Sequence, residues 1–501
     1  IYPTTRAFFG SEWSPGVDGD EHIYILLAKD IGANVAGYFS AGDEYPPESQ
    51  KGSNGHEMFV LSGDNLKLWR TFTYSVLAHE FQHMIHWNLD RNETSFINEG
   101  LSEVSQLLNG YTEGFGHNVY LANPDYQLKD WPNGSSKTPN YGASFLFLLY
   151  FLERVGNIGI SELVTEQANG LQGLDRVIEK LDIPPSPSQQ LITADDLMID
   201  WVLSNYVDDT SVEDGRYGYE KYSLDLQVSP TETVRDCASA PLYRVVHHYG
   251  VDYIRVICEG PQTMLFEGNV ETKLLPEDAY SGEYAFWSNK GHQSDLTLTR
   301  TFDFSEYAGS LTFNYWTWFD IEKNWDYAYL LASTDGVKWE MLATPSGTDS
   351  DPSGNNYGWG LTGRSGNNGE WIQESVDISQ FAGEVVQLRF EYITDSAVNG
   401  EGMLIDDISI PEIDYFSDFE SGDDGWVADG FVQIVNALPQ TFRIAMISIG
   451  DEISVNYISL DDFNRAIMAL DFAEFDEYIF VVVGTTRFTR ELADYSFSFT
   501  P

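Results

Sequence analysis

The chain has 501 residues, of which 42% are hydrophobic and 14% aromatic, so it contains enough apolar side chains for packed cores and is not disordered. Lysine and arginine number 27 against 78 aspartate and glutamate residues, which gives a formal net charge of −51. This charge excludes nucleic acid and anionic lipid as partners, because the surface would repel phosphate groups. It favours solubility and the capture of hard cations such as calcium.

Hydropathy and cysteine content narrow the class of protein further. No apolar run approaches the roughly 18 residues that a membrane span needs; the longest, residues 145–152, predicts a buried helix. The chain begins at Ile1 rather than Met, and we interpret it as a processed product. Cys237 and Cys258 either form a disulfide in an oxidising compartment or remain two buried thiols, and the sequence leaves both readings open.

The first part of the chain is predicted to contain strands followed by helices. Apolar runs at residues 23–27 and 57–61 predict strands, and helical periodicity begins after Leu66. Residues 1–212 are therefore predicted to form one α+β domain. The predicted helices cover residues 67–87, 96–108, 141–155, 160–169, 174–181 and 194–206.

The rest of the chain is predicted to be β. After Tyr217, short segments of alternating apolar and polar residues are separated by loops rich in Gly, Asn and Asp, which is typical of β-sandwiches and jelly rolls. About 290 residues are too many for one sandwich, so we expect two. We place a jelly roll at residues 271–412, inserted into a discontinuous β-sandwich made of residues 213–270 and 413–501.

The strongest chemical signal is an HExxH motif at residues 79–83. On a helix, His79 and His83 lie one turn apart on the same face and can bind one zinc ion. Glu80 lies beside them, where it can act as a general base toward a zinc-bound water.

A catalytic zinc site needs a third protein ligand, for which the sequence offers two candidates. His86 lies one turn beyond His83, but Leu89 stands where the metzincin pattern requires a third histidine. Glu99 begins the next predicted helix and would complete a two-histidine, one-glutamate site. Glu103, one turn further, is predicted to accept the remaining N–H of a zinc-binding histidine. We expect His86 to pack behind the site.

HExxH followed by residues 98–103 (NEGLSE) resembles the gluzincin clan of zinc metallopeptidases. Residues 53–61 together with residues 141–145 resemble the hyicolysin-type bacterial peptidases of that clan. The resemblance implies that His79, His83 and Glu99 bind zinc and that Glu80 is the base. It also implies that residues 57–61 form the cleft-edge strand that pairs with an extended substrate. Glu103 stands where thermolysin-like enzymes have Asp.

Hydrolysis by such a site also needs a donor that stabilises the developing oxyanion. Tyr141, at the start of a predicted helix, is our candidate. His117 and Tyr120 are weaker alternatives.

A second resemblance covers the β half. The segments at residues 318–329, 333–336, 402–408 and 423–431 are similar to the MAM-like jelly roll of immune inhibitor A-type secreted bacterial metallopeptidases. The zinc motif departs from that family. In such jelly rolls calcium ties loops together, and the candidate ligands here are Glu322, Asp326, Asp406 and Asp407. Asp18, Asp20 and Glu21 form a weaker candidate cation loop.

These features together predict a multidomain, secreted, monomeric zinc endopeptidase: an α+β zincin catalytic domain followed by β-sandwich and jelly-roll domains. Its partner would be a protein or peptide substrate, and its cofactors Zn²⁺ and Ca²⁺. Two alternatives remain open. One is a non-catalytic adhesin or binding protein whose zinc is structural and held by four protein ligands, His86 among them. The other is an aminopeptidase, which needs an acidic anchor for the substrate amine near residues 55–59.

Overall fold

The computed structural model describes residues 1–112, 114–129, 131, 136–183, 192–222, 224, 226–237, 240–366, 368–395 and 398–500. The chain forms two compact units. The first combines Ile1–Thr272 with Leu438–Pro501, and the second is Lys273–Ala437. A β-rich C-terminal region thus follows a largely helical N-terminal region, as predicted.

Within the described residues, the α-helices lie in the first unit, together with the 3-10 turn Ala41–Glu44. The second unit contains the 3-10 turns Ser379–Phe381 and Pro411–Ile413. The α-helices of the described residues are α1 (Tyr2–Phe9), α2 (Thr71–Leu89), α3 (Ser95–Leu108), α4 (His117–Ala122), α5 (Thr138–Thr165), α6 (Gly170–Lys180) and α7 (Ala194–Val207).

The strands of the first unit flank those of the second in the sequence. Before the second unit come β1 (Tyr24–Ala28), β2 (Gly37–Phe39), β3 (Met58–Ser62), β4 (Glu232–Val234), β5 (Leu242–His247), β6 (Asp252–Val256), β7 (Pro261–Gly268) and β8 (Glu271–Thr272). The second unit contains β9 (Tyr284–Trp287), β10 (Asp295–Asp303), β11 (Thr312–Ile321), β12 (Tyr327–Ser333), β13 (Glu340–Met341), β14 (Gly363–Arg364), β15 (Ile372–Asp377), β16 (Val385–Ile393), β17 (Gly402–Ile410), β18 (Tyr415–Ser417), β19 (Val427–Asp429) and β20 (Val432–Val435). The chain then returns with β21 (Leu438–Pro439), β22 (Phe442–Ile449), β23 (Ile453–Ile458), β24 (Arg465–Asp471), β25 (Glu477–Gly484) and β26 (Leu492–Thr500).

A small sheet near the N-terminus has the order β1-β3-β2. Strand β3 pairs in parallel with β1 and antiparallel with β2, so it lies in the middle of the sheet. The prediction that residues 57–61 form the edge strand is therefore wrong, because this apolar run is buried between two neighbours. The edge strand on the antiparallel side is β2. Helix α1 also precedes the strands, which the sequence pattern did not predict.

Helix α5 forms the centre of the helical core. Residues 142–152 are buried, and the helix kinks at Gly156, where φ is 66°. Among the described residues, α5 is the one helix long and apolar enough to cross a membrane by length and composition alone; 67% of its apolar window is buried inside the protein, as in a core helix. Helix α3 packs closely on it: a Cβ added at Gly100 would lie 2.7 Å from the carbonyl oxygen of Ser144.

The remainder of the first unit is a β-sandwich. Its two sheets have the orders β23-β22-β25-β6-β4 and β24-β7-β26-β5. One face of the first sheet, including Tyr253 and Val481, belongs to the same buried cluster as Trp201 of α7. The helical region and the sandwich therefore share a core, and the predicted boundary at residue 212 does not separate two compact units. Cys237 and Cys258 are joined by a disulfide.

The second unit is a sandwich of two antiparallel sheets. Their orders are β13-β12-β16-β10-β19 and β14-β11-β17-β9-β20, with β15 on β11 and β18 on β17. Burial alternates along β16, as expected for a strand with one face on a core. The predicted boundary at residue 412 is too early, because β18, β19 and β20 pair with β17, β10 and β9 of this unit.

Candidate functional site

Helix α2 places the two histidines of the HExxH motif side by side. The Nε2 atoms of His79 and His83 are 3.0 Å apart, as the one-turn spacing requires. Both side chains are largely buried, with 13% and 14% of their surface exposed. The two imidazoles thus present their Nε2 atoms to one point.

Helix α3 brings a carboxylate to the same point. Glu99 Oε2 lies 3.2 Å from His79 Nε2 and 3.4 Å from His83 Nε2. Among the described residues, these form one of two groups of three or more His, Cys, Asp or Glu side chains whose ligand atoms are close enough to hold a metal ion. The neighbouring Gly100 allows α3 to approach α5, so the position of Glu99 is set by helix packing.

The three donor atoms fit a zinc ion. Tetrahedral ligands at the Zn–N distance of about 2.0–2.1 Å lie about 3.3 Å from one another, close to the separations observed. Two histidines and one glutamate are also the ligands of many catalytic zinc sites, which keep a fourth position open. No protein donor beyond these three joins the group within the described part of the chain.

The Nδ1 atoms of both histidines have hydrogen-bonding partners on α3. His79 Nδ1 lies 3.2 Å from Glu103 Oε1, and His83 Nδ1 lies 2.9 Å from Asn98 Oδ1. Because carboxylate and amide oxygens accept hydrogen bonds, these contacts suit an Nδ1 that carries a proton, which leaves each Nε2 free to bind a metal ion when one is present. The two Nε2 atoms and the Glu99 carboxylate then form a set of three donors for one cation.

Three of the supporting residues were not predicted from the sequence. Asn98 contacts His83, Ser102 Oγ lies 3.1 Å from the same Nδ1, and Gln106 Nε2 lies 3.3 Å from His79 Nδ1. They are spaced four residues apart along α3, so they form a polar stripe on one face of the helix. That spacing is the signal in the sequence that would have found them.

The charges around the histidines favour a bound cation. Burial alone would lower the pKa of His79, but hydrogen bonds with Glu103 and Glu99 outweigh it and hold the pKa well above its ordinary value. Burial acts in the opposite direction on Glu99, whose pKa is held well below its ordinary value by the charges of His83 and His79. The carboxylates that attract a proton here attract a metal ion in the same way.

Glu80 is held beside the histidines by the small sheet. Its Oε2 accepts a hydrogen bond of 2.8 Å from the backbone N–H of Phe39 in β2, and only 6% of the residue is exposed. The carboxylate is therefore fixed by the edge strand and not by another residue of its own helix.

Tyr141 lies near the group, at the start of α5. Its ring centroid is 6.5 Å from that of His79 and 4.7 Å from that of Trp131. The negative charge of Glu99, followed by burial, holds the pKa of Tyr141 well above its ordinary value. The phenol is therefore protonated and can donate a hydrogen bond.

The alternative residues occupy other places. Tyr120 stacks on Trp201 in the core, with centroids 5.7 Å apart, and His117 lies against Phe145. His86 is buried, and burial lowers its pKa to about 3; it is not part of the metal-binding group.

The second candidate metal group lies in the second unit. It consists of Glu322, Asp326 and Asp395, whose carboxylate oxygens lie within 4.8 Å of one another. Asp326 is fully buried, and burial together with the charges of its two partners raises its pKa to about 8. Asp395, which the sequence did not indicate, also donates its backbone N–H to Asp326 Oδ1 at 2.8 Å.

Two predicted calcium ligands, Asp406 and Asp407, do not join this group. They accept hydrogen bonds from the backbone N–H and the hydroxyl of Ser281, respectively. In the predicted loop at residues 18–21, Asp18 and Asp20 instead pair with His56 and His22, at 2.6 and 2.5 Å.

Glu103→Gln tests the metal centre. The substitution keeps the shape of the side chain but removes the charge that holds the Nδ1 proton of His79. We expect the zinc dissociation constant to rise roughly 10–100-fold, measured by competition with a chromogenic chelator. Glu179→Gln, an exposed position on α6, should leave it unchanged. Equal affinity in Glu103→Gln and the parent would contradict the role of Glu103.

Comparison with known proteins gives matches to metalloproteases and to one domain family. Residues 269–435 match the family model described as immune inhibitor A-like, MAM domain. The pre-pro-metalloprotease PrtV of Vibrio cholerae is 32% identical over 134 residues, which is 26% of this chain and 13% of that protein. Immune inhibitor A of Bacillus thuringiensis is 35% identical over 156 residues, 30% of this chain and 21% of that protein.

A further relative is the neutral metalloprotease ShpI of Staphylococcus hyicus. It is 26% identical over 206 residues, 36% of this chain and 46% of that protein. The chain therefore spans less than half the length of each of these relatives. Both predicted resemblances are confirmed: residues 269–435 match the immune inhibitor A-like MAM domain, and the chain is similar to hyicolysin-type and other metalloproteases.

Proposed function

We propose that this chain is a zinc-dependent endopeptidase with a zincin catalytic region. The observation that carries the proposal is the convergence of His79, His83 and Glu99 within 3.0–3.4 Å of one another, with Glu80 held beside them. The similarity to PrtV and ShpI, both named metalloproteases, supports the same conclusion.

The zinc ion, when bound by these residues, supplies a Lewis acid that makes a water molecule easier to deprotonate at neutral pH. Glu80 takes that proton as general base and later transfers it to the leaving amine. The hydrogen bond from Phe39 keeps one oxygen of Glu80 in place, so the carboxylate does not have to be reorganised during the reaction.

Tyr141 is proposed to donate its phenolic hydrogen to the carbonyl oxygen of the scissile bond as negative charge develops there. Its raised pKa supports this role, because the group keeps its proton next to Glu99. A donor placed for the transition state stabilises it more than the substrate.

An extended substrate is proposed to lie along β2. This strand pairs with β3 on one side only and ends the described sheet on that side. Backbone pairing along a free edge holds a peptide without regard to most of its side chains. Because β2 also binds Glu80 through Phe39, the strand that aligns the peptide fixes the base as well.

The two alternatives receive less support. A structural zinc site needs four protein ligands, and within the described residues the group has three. An aminopeptidase needs an open acidic anchor, but Glu57 is buried and accepts a hydrogen bond of 2.6 Å from the backbone of Val17.

We also propose that the protein works outside the cell. The Cys237–Cys258 disulfide supports an oxidising compartment. The net charge of −51 means that the surface repels nucleic acids and other molecules rich in phosphate. The monomeric state stays a prediction.

Glu80→Ala tests the general base. With zinc still bound at one equivalent, hydrolysis of denatured casein should fall by at least about 10²–10⁴-fold, the usual contribution of general acid–base catalysis. Zinc content is measured on the same preparation, so that loss of metal is not mistaken for loss of the base. Equal activity in both proteins would overturn the assignment.

Tyr141→Phe tests the oxyanion donor. Removal of one such donor costs about 10²–10³-fold in kcat, and KM should change little because the interaction forms in the transition state. Tyr74→Phe, a half-exposed tyrosine on α2, serves as the matched control. A rise in KM at constant kcat would show that Tyr141 binds substrate instead.

Calcium is proposed at Glu322, Asp326 and Asp395, since three carboxylates suit a hard cation. Calcium should raise the Tm of the zinc-loaded parent, and Asp326→Asn should reduce that shift and remove one calcium equivalent in calorimetric titration. Asp349→Asn, an exposed position in the same unit, should behave as the parent. Unchanged calcium stoichiometry in Asp326→Asn would exclude the site.

A further inference from the structure

Two carboxyl groups that take no part in the proposed reaction lie in contact with each other at the start of β3. Glu44 ends the 3-10 turn Ala41–Glu44, and Glu57 immediately precedes β3. Each residue is only 2% exposed. Apart from the contact of the two carboxyl groups with each other, neither oxygen of Glu44 and not Oε2 of Glu57 has a hydrogen-bond partner.

The backbone of residues 16–17 closes around Glu57. The backbone N–H of Val17 donates to Glu57 Oε1 at 2.6 Å. Gly16 has φ +78°, and a Cβ at this position would lie within 2.1 Å of the Glu57 carboxylate. Only glycine fits here, so the chain forms a cradle around one end of the carboxylate pair.

Negative charge predominates in this cradle. Asp43 adds a third carboxylate, whose Oδ1 accepts hydrogen bonds from the backbone and side-chain nitrogens of Asn54 at 2.6 and 3.0 Å. The positive charge of Arg91 lowers the pKa of Glu44. Its guanidinium, however, lies over the ring of Trp87, 4.5 Å from the centroid. Burial and the charge of Glu57 raise the pKa of Glu44 to about 9.

Buried carboxylates without partners are costly, and proteins keep them when they are paired or bind a metal ion. We propose that Glu44 and Glu57 are ligands of a calcium ion, with Asp43 adding to the negative field around it. Oxygen donors without nitrogen or sulfur select a hard cation such as Ca²⁺ over zinc.

A calcium ion here would join the loop that contains Glu44 to the start of β3, where Glu57 is already held by the backbone N–H of Val17. Strand β3 pairs with β2, and β2 holds Glu80 through the N–H of Phe39. Occupancy of this site would therefore stabilise the sheet against which Glu80 is positioned. The binding itself does not depend on the proposed peptidase activity.

The test is calcium titration by calorimetry on the zinc-saturated full chain. Asp326→Asn is the background, so that the site in the second unit is removed. We expect Glu44→Gln and Glu57→Gln in that background each to lose one calcium equivalent or to bind it at least 100-fold more weakly. Glu48→Gln, an exposed glutamate in the same loop, should titrate as the background does.

Thermal unfolding provides a second measurement on the same variants. Calcium should raise the Tm of the Asp326→Asn protein and leave that of the Glu44→Gln double variant unshifted. Both Gln variants remove charge from a crowded site, so they are expected to fold, and bound zinc checks this. Equal calcium binding in the Glu44→Gln and Glu48→Gln proteins would overturn the proposal. So would a Glu44→Gln protein that is more stable than its background at every calcium concentration, since Glu44 and Glu57 would then share a proton.

Discussion

The packing of α3 between α2 and α5 determines whether the site exists. Glu99 reaches the histidines of α2 only because the next residue, Gly100, lets the backbone of α3 approach α5 closely. The result is two imidazole lone pairs and a carboxylate within 3.4 Å of one another. Such a group favours a bound cation, so the helix packing that assembles it also prepares it for the proposed metal ion.

Because the chain is so acidic, several carboxylates are buried and need a positively charged partner. The partner differs from one place to the next. Where an arginine is available, it pairs with the acid, as Arg216 does with the buried Asp200 at 3.0 Å. At the HExxH motif, imidazoles take that role. With 27 basic residues against 78 acidic ones, some buried carboxylates lack a basic partner. Glu44, Glu57 and Asp326 are among these, and for them we propose that a calcium ion balances the charge.

Local periodicity accounts for what the sequence could predict. The four-residue spacing of His79 and His83, and of Glu99 and Glu103, fixes a common face on each helix. The segments at residues 318–329 and 402–408 carried the resemblance to the MAM-like jelly roll, which the match over residues 269–435 confirms. These features depend on neighbours in sequence, so no knowledge of the packing was needed.

Features that depend on pairing between distant segments could not be read in this way. The apolar sequence of β3 predicts a buried strand but does not reveal which strands lie beside it. Its central position follows from its pairing with both β1 and β2. Asp395 lies 69 residues from Asp326 and reaches it because β16 pairs with β12. The boundary at residue 212 failed for the same reason: α7 packs on strands formed more than 200 residues later. Trp201 of α7 shares a buried cluster with Val481 of β25, and Asp196 pairs with Arg443 of β22 at 2.8 Å. The sandwich is thus part of the support for the helices that carry the metal ligands, and its sequence contributes to the site although none of its residues lies in it.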